Sequence, residues 1–334
     1  MTKDRNPGAP WTAARIIFPA VLAGLCFWPL GMSRAAVPES VVFADQTGPG
    51  HLVSVVIKRR NLLADKFPAT KFDWRIMTSG AVVRDGMMAG QIHVGIYAPP
   101  PFLIGWDKGL KWKIIAAAAT YDQWLVVKDP KIQSIKDFKA GGPVQIGVAG
   151  IDSFPAIVVR KAAKKELGDS AALDTSLLVM PPPQAIQLVL SGQLGGALVP
   201  PVHSVRAVDG GARVILRGND VFSGPVTNNF YVMTEKFYAE HPDFARAFHG
   251  AVVAAIRFIA QNPDEAYRLL AEEQGGNIIA PQYRDWIVRS GTEFDATPVR
   301  VLEVAEFMKE IKMIKQAPRS MEEISFPEAL GPKR

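Results

Sequence analysis

Two short polar turns carry the side chains best suited to binding a small solute. Gln46 and Thr47 follow an apolar, β-rich segment, residues 41–44, and precede Gly48-Pro-Gly50 and a helix-like stretch. A turn from a strand into a helix presents backbone N–H groups that bind anions. One Gly-x-Gly without the rest of a dinucleotide fingerprint is weak evidence for a nucleotide. We therefore expect Gln46 and Thr47 to contact a ligand, with a purely structural turn as the alternative.

Asp152 and Ser153 form the second such turn, directly before a predicted helix over residues 154–167. Either residue could be the N-cap of that helix. A hydroxyl group that does not cap the helix suits an anion, so contact with a ligand is the other interpretation. A carboxylate here would repel an anion unless Asp152 points away or meets an amine of the ligand.

Aromatic and amide side chains are candidates for further contacts. Tyr97 and Ala98 precede three prolines, which stop the strand and hold both residues at its carboxyl end. Tyr97 would form an aromatic wall of the site or pack in the core, and Trp124 is a second candidate wall. Pro200 marks a similar strand end further along the chain. Asn228, at the start of a later strand, would line a hinge or a cleft, or cap a turn.

The sequence shows no signature of catalysis or of a metal site. It contains neither a Gly-x-Ser-x-Gly nor a His-Glu-x-x-His motif, and its five histidines lack close metal-ligand spacing. The single cysteine, Cys26, lies in an N-terminal apolar stretch whose removal would leave no thiol nucleophile and no disulfide. We expect no catalytic residue, no bound metal and no cofactor.

A repeated phrase indicates which elements position these side chains. The two copies are Gly90-Gln-Ile-His-Val-Gly-Ile-Tyr-Ala-Pro-Pro and Gly192-Gln-Leu-Gly-Gly-Ala-Leu-Val-Pro-Pro. Each follows a strand, a small turn and a helical segment, so the common unit is βαβ. A duplicated unit of this kind predicts two similar lobes, with a ligand outside the carboxyl ends of their strands. Chance similarity of two ordinary turns is the alternative.

Two turn-rich segments divide the chain into these lobes. Residues 128–143 are polar and contain proline and paired glycines, and residues 218–224 are also rich in turn residues. We expect lobe one to consist of residues 36–130 and 226–334, and lobe two of residues 131–225. Each lobe would be a mostly parallel sheet flanked by helices, with the C-terminal helices on lobe one.

The first 35 residues have the three parts of a secretory signal: basic residues, a short apolar stretch and the small-residue segment Ser33-Arg34-Ala35. The apolar stretch is shorter than the roughly twenty residues that a spanning helix needs. We expect cleavage after Ala35 and export to the periplasm. The chain has 38 Lys and Arg against 32 Asp and Glu, without blocks of like charge, so we expect no nucleic-acid partner.

The order and spacing of several segments between residues 41 and 312 resemble a known family. These segments are Gly90-Gln-Ile-His-Val-Gly, Lys128-Asp-Pro-Lys-Ile-Gln-Ser-Ile-Lys-Asp-Phe, Gly147-Val-Ala-Gly-Ile-Asp-Ser, Met180-Pro-Pro-Pro-Gln-Ala and Asn229-Phe-Tyr-Val-Met-Thr-Glu-Lys. They are similar to the solute-binding proteins of ABC importers for nitrate, sulfonates, taurine and thiamine precursors. His93 and Gly195 stand where that family usually has acidic residues, and the aromatic residue it often has near Val199 is missing. The resemblance therefore does not define the ligand.

The resemblance implies the α/β, two-lobe type 2 periplasmic binding protein fold. It also implies a monomeric, non-enzymatic protein that captures a small solute by hinge closure and delivers it to an ABC-transporter permease. The helix N-termini expected in both lobes favour a small organic anion as that solute, like a sulfonate, taurine or nitrate, or an aromatic carboxylate. An enzyme of thiamine-pyrimidine metabolism on the same fold is one alternative, although such enzymes rely on a cysteine-rich segment, and a periplasmic sensor subunit is another. The residues expected to contact the ligand are Gln46, Thr47, Tyr97, Ala98, Trp124, Asp152, Ser153, Pro200 and Asn228.

Overall fold

The computed structural model describes residues 37–46, 48–77, 79–138, 144–276 and 278–331. The expected signal peptide, with its cleavage site and Cys26, lies outside the described residues, as does the expected ligand contact Thr47. Every helix within the described ranges is too short or too polar to cross a membrane.

Ten strands form two five-stranded sheets in the described part of the chain. The strands are β1 (Ser40–Asp45), β2 (Lys71–Ile76), β3 (Val94–Tyr97), β4 (Trp112–Thr120), β5 (Trp124–Val127), β6 (Ile146–Val148), β7 (Leu177–Val179), β8 (Gly196–Val199), β9 (Arg213–Arg217) and β10 (Thr227–Thr234).

The two sheets have the same topology. Their strand orders are β2-β1-β3-β10-β4 and β7-β6-β8-β5-β9. In each sheet the first three strands are parallel, and the fourth runs antiparallel to both of its neighbours. Strands β1 to β3 therefore correspond to β6 to β8, and the repeated sequence phrase supplies the third strand of each sheet. We call the parts of the chain built around the first and second sheet lobe one and lobe two.

Helices flank both sheets, and many of them begin at a proline. They are α1 (His51–Arg59), α2 (Gly80–Met88), α3 (Pro99–Asp107), α4 (Phe154–Leu167), α5 (Pro182–Leu190), α6 (Pro201–Asp209), α7 (Glu235–Glu240), α8 (Pro242–Gln261), α9 (Pro263–Glu273), α10 (Ala280–Arg289), α11 (Val301–Glu310) and α12 (Met321–Ile324). Proline fits the first turn of a helix because the N–H groups there have no partner within the helix.

The first glycine of each repeated phrase ends a helix. Gly90 follows α2 with φ 69°, and Gly192 follows α5 with φ 76°. This left-handed conformation is open to glycine and costly for other residues. The N–H groups of Gly90 and Gly192 donate to the carbonyl oxygens of Met87 and Val189, which closes the last turn of each helix. The repeat is therefore a helix end followed by a central strand.

The chain passes from lobe one to lobe two earlier than the sequence suggested. Strand β5 pairs with β8 and β9 in the second sheet, whereas residues up to 130 were expected in lobe one. The passage is the short segment Tyr121–Gln123, whose side chains are buried. It contains no glycine or proline that would indicate a turn in the sequence. Since β5 already belongs to the second sheet, the polar residues that follow it begin a connection within lobe two. Surface loops and linkers have the same polar composition, so composition could not distinguish the two.

The C-terminal helices contact both lobes. Helices α8 and α9 pack against α1 of lobe one, while α10 packs against α6 of lobe two. In the second contact the guanidinium of Arg206 lies over the ring of Trp286, and Arg289 pairs with Asp209 at 2.7 Å. The expectation that these helices belong to lobe one omitted this contact, since an amphipathic pattern shows an apolar face but not its partner.

Candidate functional site

A cavity of about 180 Å³ lies where the carboxyl ends of the parallel strands of both sheets face each other. Its walls come from the turns after β1, β2, β3 and β4, the turns after β6, β7 and β8, and the start of β10. A larger hollow of about 540 Å³ is lined by residues of α9 and α10. None of its described lining residues belongs to these strand ends. The smaller cavity is the candidate site because residues of both lobes converge on it.

Six of the nine residues expected from the sequence line this cavity. Gln46 and Ala98 come from lobe one, Asp152, Ser153 and Pro200 from lobe two, and Asn228 from the strand that returns to lobe one. Thr47 is outside the described residues. Tyr97 and Trp124 do not line the cavity, and each has another role.

Tyr97 packs in the core of lobe one. Its side chain is fully buried, meets the ring of Trp112 edge-on at 5.2 Å, and points its hydroxyl at the sulfur of Met87. Burial raises the pKa of Tyr97 far above its usual value. Side chains alternate between the two faces along a strand, so the last residue of β3 turns inward and the next residue, Ala98, reaches the cavity.

Trp124 supports the passage between the lobes. Its indole N–H donates to Asp122 at 3.0 Å, and the guanidinium of Arg217 lies over its ring at 4.4 Å. Burial raises the pKa of Asp122, while hydrogen bonds from the Asn219 N–H, Trp124 and Arg217 oppose that rise. Trp124 therefore helps to hold Asp122 between the two connecting segments. Neither residue lines the cavity.

The structure adds cavity residues that the sequence analysis did not select. Tyr121 and Gln123 come from the passage Tyr121–Gln123, and Asn229 follows Asn228 at the start of β10. Burial raises the pKa of Tyr121, and a side-chain hydrogen bond with Asn229 opposes the rise. No motif surrounds Gln123, so its position could not be inferred without knowing which strands meet.

A polar network joins the two connections between the lobes. The side-chain N–H₂ of Asn228 donates to the carbonyl oxygens of Tyr121 and Val226 at 2.7 and 2.8 Å. The side-chain N–H₂ of Gln123 donates to Asn228 Oδ1 at 3.3 Å. The Gly218 N–H donates to the backbone oxygen of Gln123 at 2.8 Å. The position of Gln123 is thus set by both segments that pass between the lobes.

Gln46 is held at the end of β1 by its neighbours. Its side-chain N–H₂ donates to the carbonyl oxygen of Ile96 at 2.8 Å, and its backbone N–H donates to Asp45 at 2.7 Å. Asp45 also accepts a 2.8 Å hydrogen bond from Nδ1 of the buried His51. Burial lowers the pKa of His51, but the charge and hydrogen bond of Asp45 contribute to a net rise above 6.5. His51 therefore orients Asp45, and Asp45 in turn holds the backbone of Gln46 at the cavity.

Gly50 allows the first helix to approach the returning strand closely. Its N–H donates to Asn229 Oδ1 at 3.2 Å, and a Cβ atom at Gly50 would lie 2.7 Å from the Cβ of Asn229. A glycine at position 50 is thus required for this close packing against Asn229. The N–H groups of His51, Leu52 and Val53 donate to carbonyl oxygens of this same turn.

Few of the helices that start at the cavity offer free N–H groups. Helices α3, α5 and α6 begin with proline, which has no N–H. Helix α4 has Ser153 at its N-cap, and that hydroxyl donates to the carbonyl oxygen of Gly150 at 2.6 Å instead of capping the helix. Pro155, in the first turn of α4, also lacks an N–H, so α4 too offers fewer free N–H groups to the cavity than a helix without proline.

The charge at the cavity is negative. Among the described residues of its lining, Asp152 is the one side chain charged at neutral pH, and the lining includes no lysine or arginine. No group of three or more His, Cys, Asp or Glu side chains in the described residues could hold a metal ion. Apart from the Asp152 carboxylate, the lining consists of amides, hydroxyls, small residues, prolines and the apolar side chains of Met77 and Phe154.

Two α/β lobes of equal topology, with a cavity at their facing strand ends, define the two-lobe periplasmic binding protein fold. The periplasmic aliphatic sulphonate binding protein SsuA from Escherichia coli has this fold, with a TM-score of 0.69 and 17% identity over 86% of this chain and 98% of its own. The periplasmic nitrate-binding protein NrtA from Synechocystis PCC 6803 gives a TM-score of 0.67 and 15% identity over 86% of this chain and 85% of its own.

The family follows from the sequence. The profile of the NMT1-like family matches residues 51–272, well over half of the 334 residues, and the chain belongs to this family. This result and the structural likeness to SsuA and NrtA confirm the family resemblance inferred from the sequence segments. No curated protein matches the sequence significantly.

Proposed function

We propose that this protein is the solute-binding component of an ABC importer. It would be exported by the signal at residues 1–35, capture a small organic solute in the cavity between its lobes, and deliver it to a permease without altering it chemically. The observation that carries this proposal is the cavity itself, whose walls come from both lobes and from the two connections between them. SsuA is an aliphatic sulphonate binding protein and NrtA a nitrate-binding protein, which supports the same assignment.

Closure of the lobes is the proposed mechanism. A solute that contacts Gln46 and Ala98 on one side and Asp152 and Ser153 on the other favours the closed arrangement, because it binds that arrangement more tightly. The bending would occur at Tyr121–Gln123 and near residues 218–226, where the chain passes between the sheets. The domain division is thus proposed to lie at these two segments.

The ligand class expected from the sequence, a small organic anion, stays a prediction. The N-terminus of α4 supports it through the helix dipole, since a helix N-terminus stabilises negative charge, while Pro155 removes one N–H donor there. The proline starts of α3, α5 and α6 and the carboxylate of Asp152 provide no such support. A solute with both an anionic group and a hydrogen-bond donor is compatible with all of these features.

A thermal-shift screen of small solutes tests the proposal. A ligand at a hundred times its dissociation constant stabilises the folded state by about 2.7 kcal/mol, which gives a clear rise in Tm. Small-angle X-ray scattering of the same samples should show a smaller radius of gyration with ligand. The compound recovered from the complex should be unchanged by mass spectrometry. Chemical conversion of the bound compound would contradict the proposal and favour an enzyme.

A further inference from the structure

The side-chain oxygen of Gln123 is a buried acceptor at the candidate site. Gln123 lies in the passage between the lobes, lines the cavity, and is 3% exposed. Its Oε1 atom accepts no hydrogen bond from any described residue. Buried polar atoms are nearly always paired, so an unpaired one beside a cavity points to a function.

The hydrogen-bond network determines that this atom is the oxygen and not the nitrogen of the amide. The carbonyl oxygens of Tyr121 and Val226 can only accept, so the atom of Asn228 between them must be its N–H₂ group. Asn228 therefore turns its oxygen toward Gln123. That oxygen can only accept in turn, so Gln123 must present its own N–H₂ group to it. The remaining atom, Gln123 Oε1, is an acceptor.

The same reasoning applies on the other side of the cavity. The N–H₂ group of Gln46 donates to the carbonyl oxygen of Ile96, which can only accept. Gln46 Oε1 is therefore also an acceptor, and Asp152 adds a carboxylate. No described lining residue carries a positive charge to balance these groups. Asn229 differs, because its Oδ1 accepts from the Gly50 N–H and its N–H₂ group is left as a donor. The acceptors Gln46, Gln123 and Asp152 favour a partner that donates hydrogen bonds.

We propose that the solute presents an N–H or O–H donor to Gln123 Oε1, and that the site rejects anions that can only accept hydrogen bonds, such as nitrate, sulfate and simple alkanesulfonates. This inference rests on the proposed function, since it concerns the ligand of the same cavity. An ammonium, amide or amidine group is the chemistry that fits. A site built to bond a donor discriminates strongly against analogues without one, because its buried acceptor is then left unpaired.

Paired probes on the wild-type protein test the donor requirement. The first pairs are taurine against ethanesulfonate and benzamidine against benzoate, with sodium nitrate and sodium sulfate as acceptor-only anions. A broad library of small metabolites is screened in parallel, and each hit is compared with its analogue in which the donor is methylated. We expect the donor-bearing member of a pair to raise Tm and the other member to bind about tenfold or more weakly. Acceptor-only anions that raise Tm as strongly would overturn the inference.

A matched pair of variants tests the role of Gln123. Gln123→Met removes the amide at nearly constant volume, and Gln193→Met makes the same change at an exposed turn outside the cavity. For any donor-bearing hit, we expect isothermal titration calorimetry to show binding about tenfold or more weaker with Gln123→Met and unchanged with Gln193→Met. Equal affinity of Gln123→Met and the wild type would show that solvent, and not the solute, pairs with Gln123.

The outcomes separate this inference from the proposed function. Binding of acceptor-only anions leaves the solute-binding function intact and overturns the donor requirement. No Tm shift from any compound in the library contradicts the function, and the inference falls with it. The paired-probe measurement uses the wild type, so a failure of Gln123→Met to fold leaves the test valid.

Discussion

The side chain of Asn228 forms hydrogen bonds with residues of both connections between the lobes. Its side chain is 1% exposed, donates to the carbonyl oxygens of Tyr121 and Val226, and accepts from Gln123. The sequence suggested three roles for it: a hinge residue, a cleft residue and a turn cap. In the structure it contacts the passage and also lines the cavity, so the first two roles coincide.

We predict that Asn228→Ala destabilises the protein by roughly 2–4 kcal/mol, because two buried carbonyl oxygens and the amide of Gln123 lose their partner. Urea denaturation followed by circular dichroism measures the change. Gln193→Ala is the control, since Gln193 is exposed and its loss should change the free energy of unfolding by less than about 0.5 kcal/mol. Equal effects of the two substitutions would mean that the network adds no stability.

The pair of Asp45 and His51 predicts a dependence of stability on pH. The pKa of His51 lies above 6.5 in the folded protein, so the folded state holds the His51 proton more tightly than the unfolded state does. This contribution is complete below about pH 6.5 and is lost as the pH rises through the folded-state pKa. His51→Asn keeps a donor for Asp45 but cannot titrate. We expect wild type to lose more stability than His51→Asn in urea titrations between pH 6 and 9; identical slopes would contradict the assignment.

At the scale of elements, prolines and glycines define where the helices of both lobes begin and end. Prolines start α3, α5 and α6 at the cavity. Their positions could be predicted from the sequence, because proline restricts its own backbone whatever the surroundings. The loss of N–H donors at those starts follows from the same chemistry, yet its effect on the ligand becomes clear once the structure shows that these starts face the cavity.

The glycines of the repeat and a glycine within a helix give predictions of opposite sign. Gly90→Ala and Gly192→Ala should each destabilise the protein by about 1 kcal/mol, because each glycine has a positive φ. Gly250→Ala, within α8 and with no atom within 4 Å of the added Cβ, should stabilise it by about 0.5–1 kcal/mol. Thermal unfolding of the three variants measures the differences. A stabilising effect at Gly90 or Gly192 would rule out their role as helix ends.

At the scale of the whole molecule, two sheets of equal topology face each other across a cavity, and α10 and α11 reach from lobe one to lobe two. Glu303 of α11 pairs with Lys161 of α4 at 3.3 Å and accepts from the N–H of Ser223, near the second connection. Relative motion of the lobes must therefore accommodate these contacts as well as the two connections.

Export is the prediction that concerns the complete chain. If residues 1–35 are a signal peptide, mass spectrometry of the protein purified from the periplasm should find an N-terminus at Ala36 or within a few residues of it. A change of Ala35 to a bulky residue, Ala35→Trp, should block processing, while Ala44→Ser, in the first strand, should leave it unchanged. Recovery of the chain in the membrane fraction with Met1 still present would contradict export by a cleaved signal.

Local features of this protein could be read from the amino-acid sequence: the strand ends at Gln46 and Ala98, the helix that follows Ser153, and the repeated βαβ unit. These features depend on neighbouring residues and on periodicity, which a sequence displays directly. The three-dimensional arrangement set the rest: Tyr97 packs in the core, the passage lies at Tyr121–Gln123, and Gln123, a residue of the cavity lining, has a buried side-chain oxygen without a partner among the described residues. The reason is that each of these depends on partners distant in the chain: Trp112 beside Tyr97, strand β9 beside β5, and Asn228 with two backbone carbonyls beside Gln123.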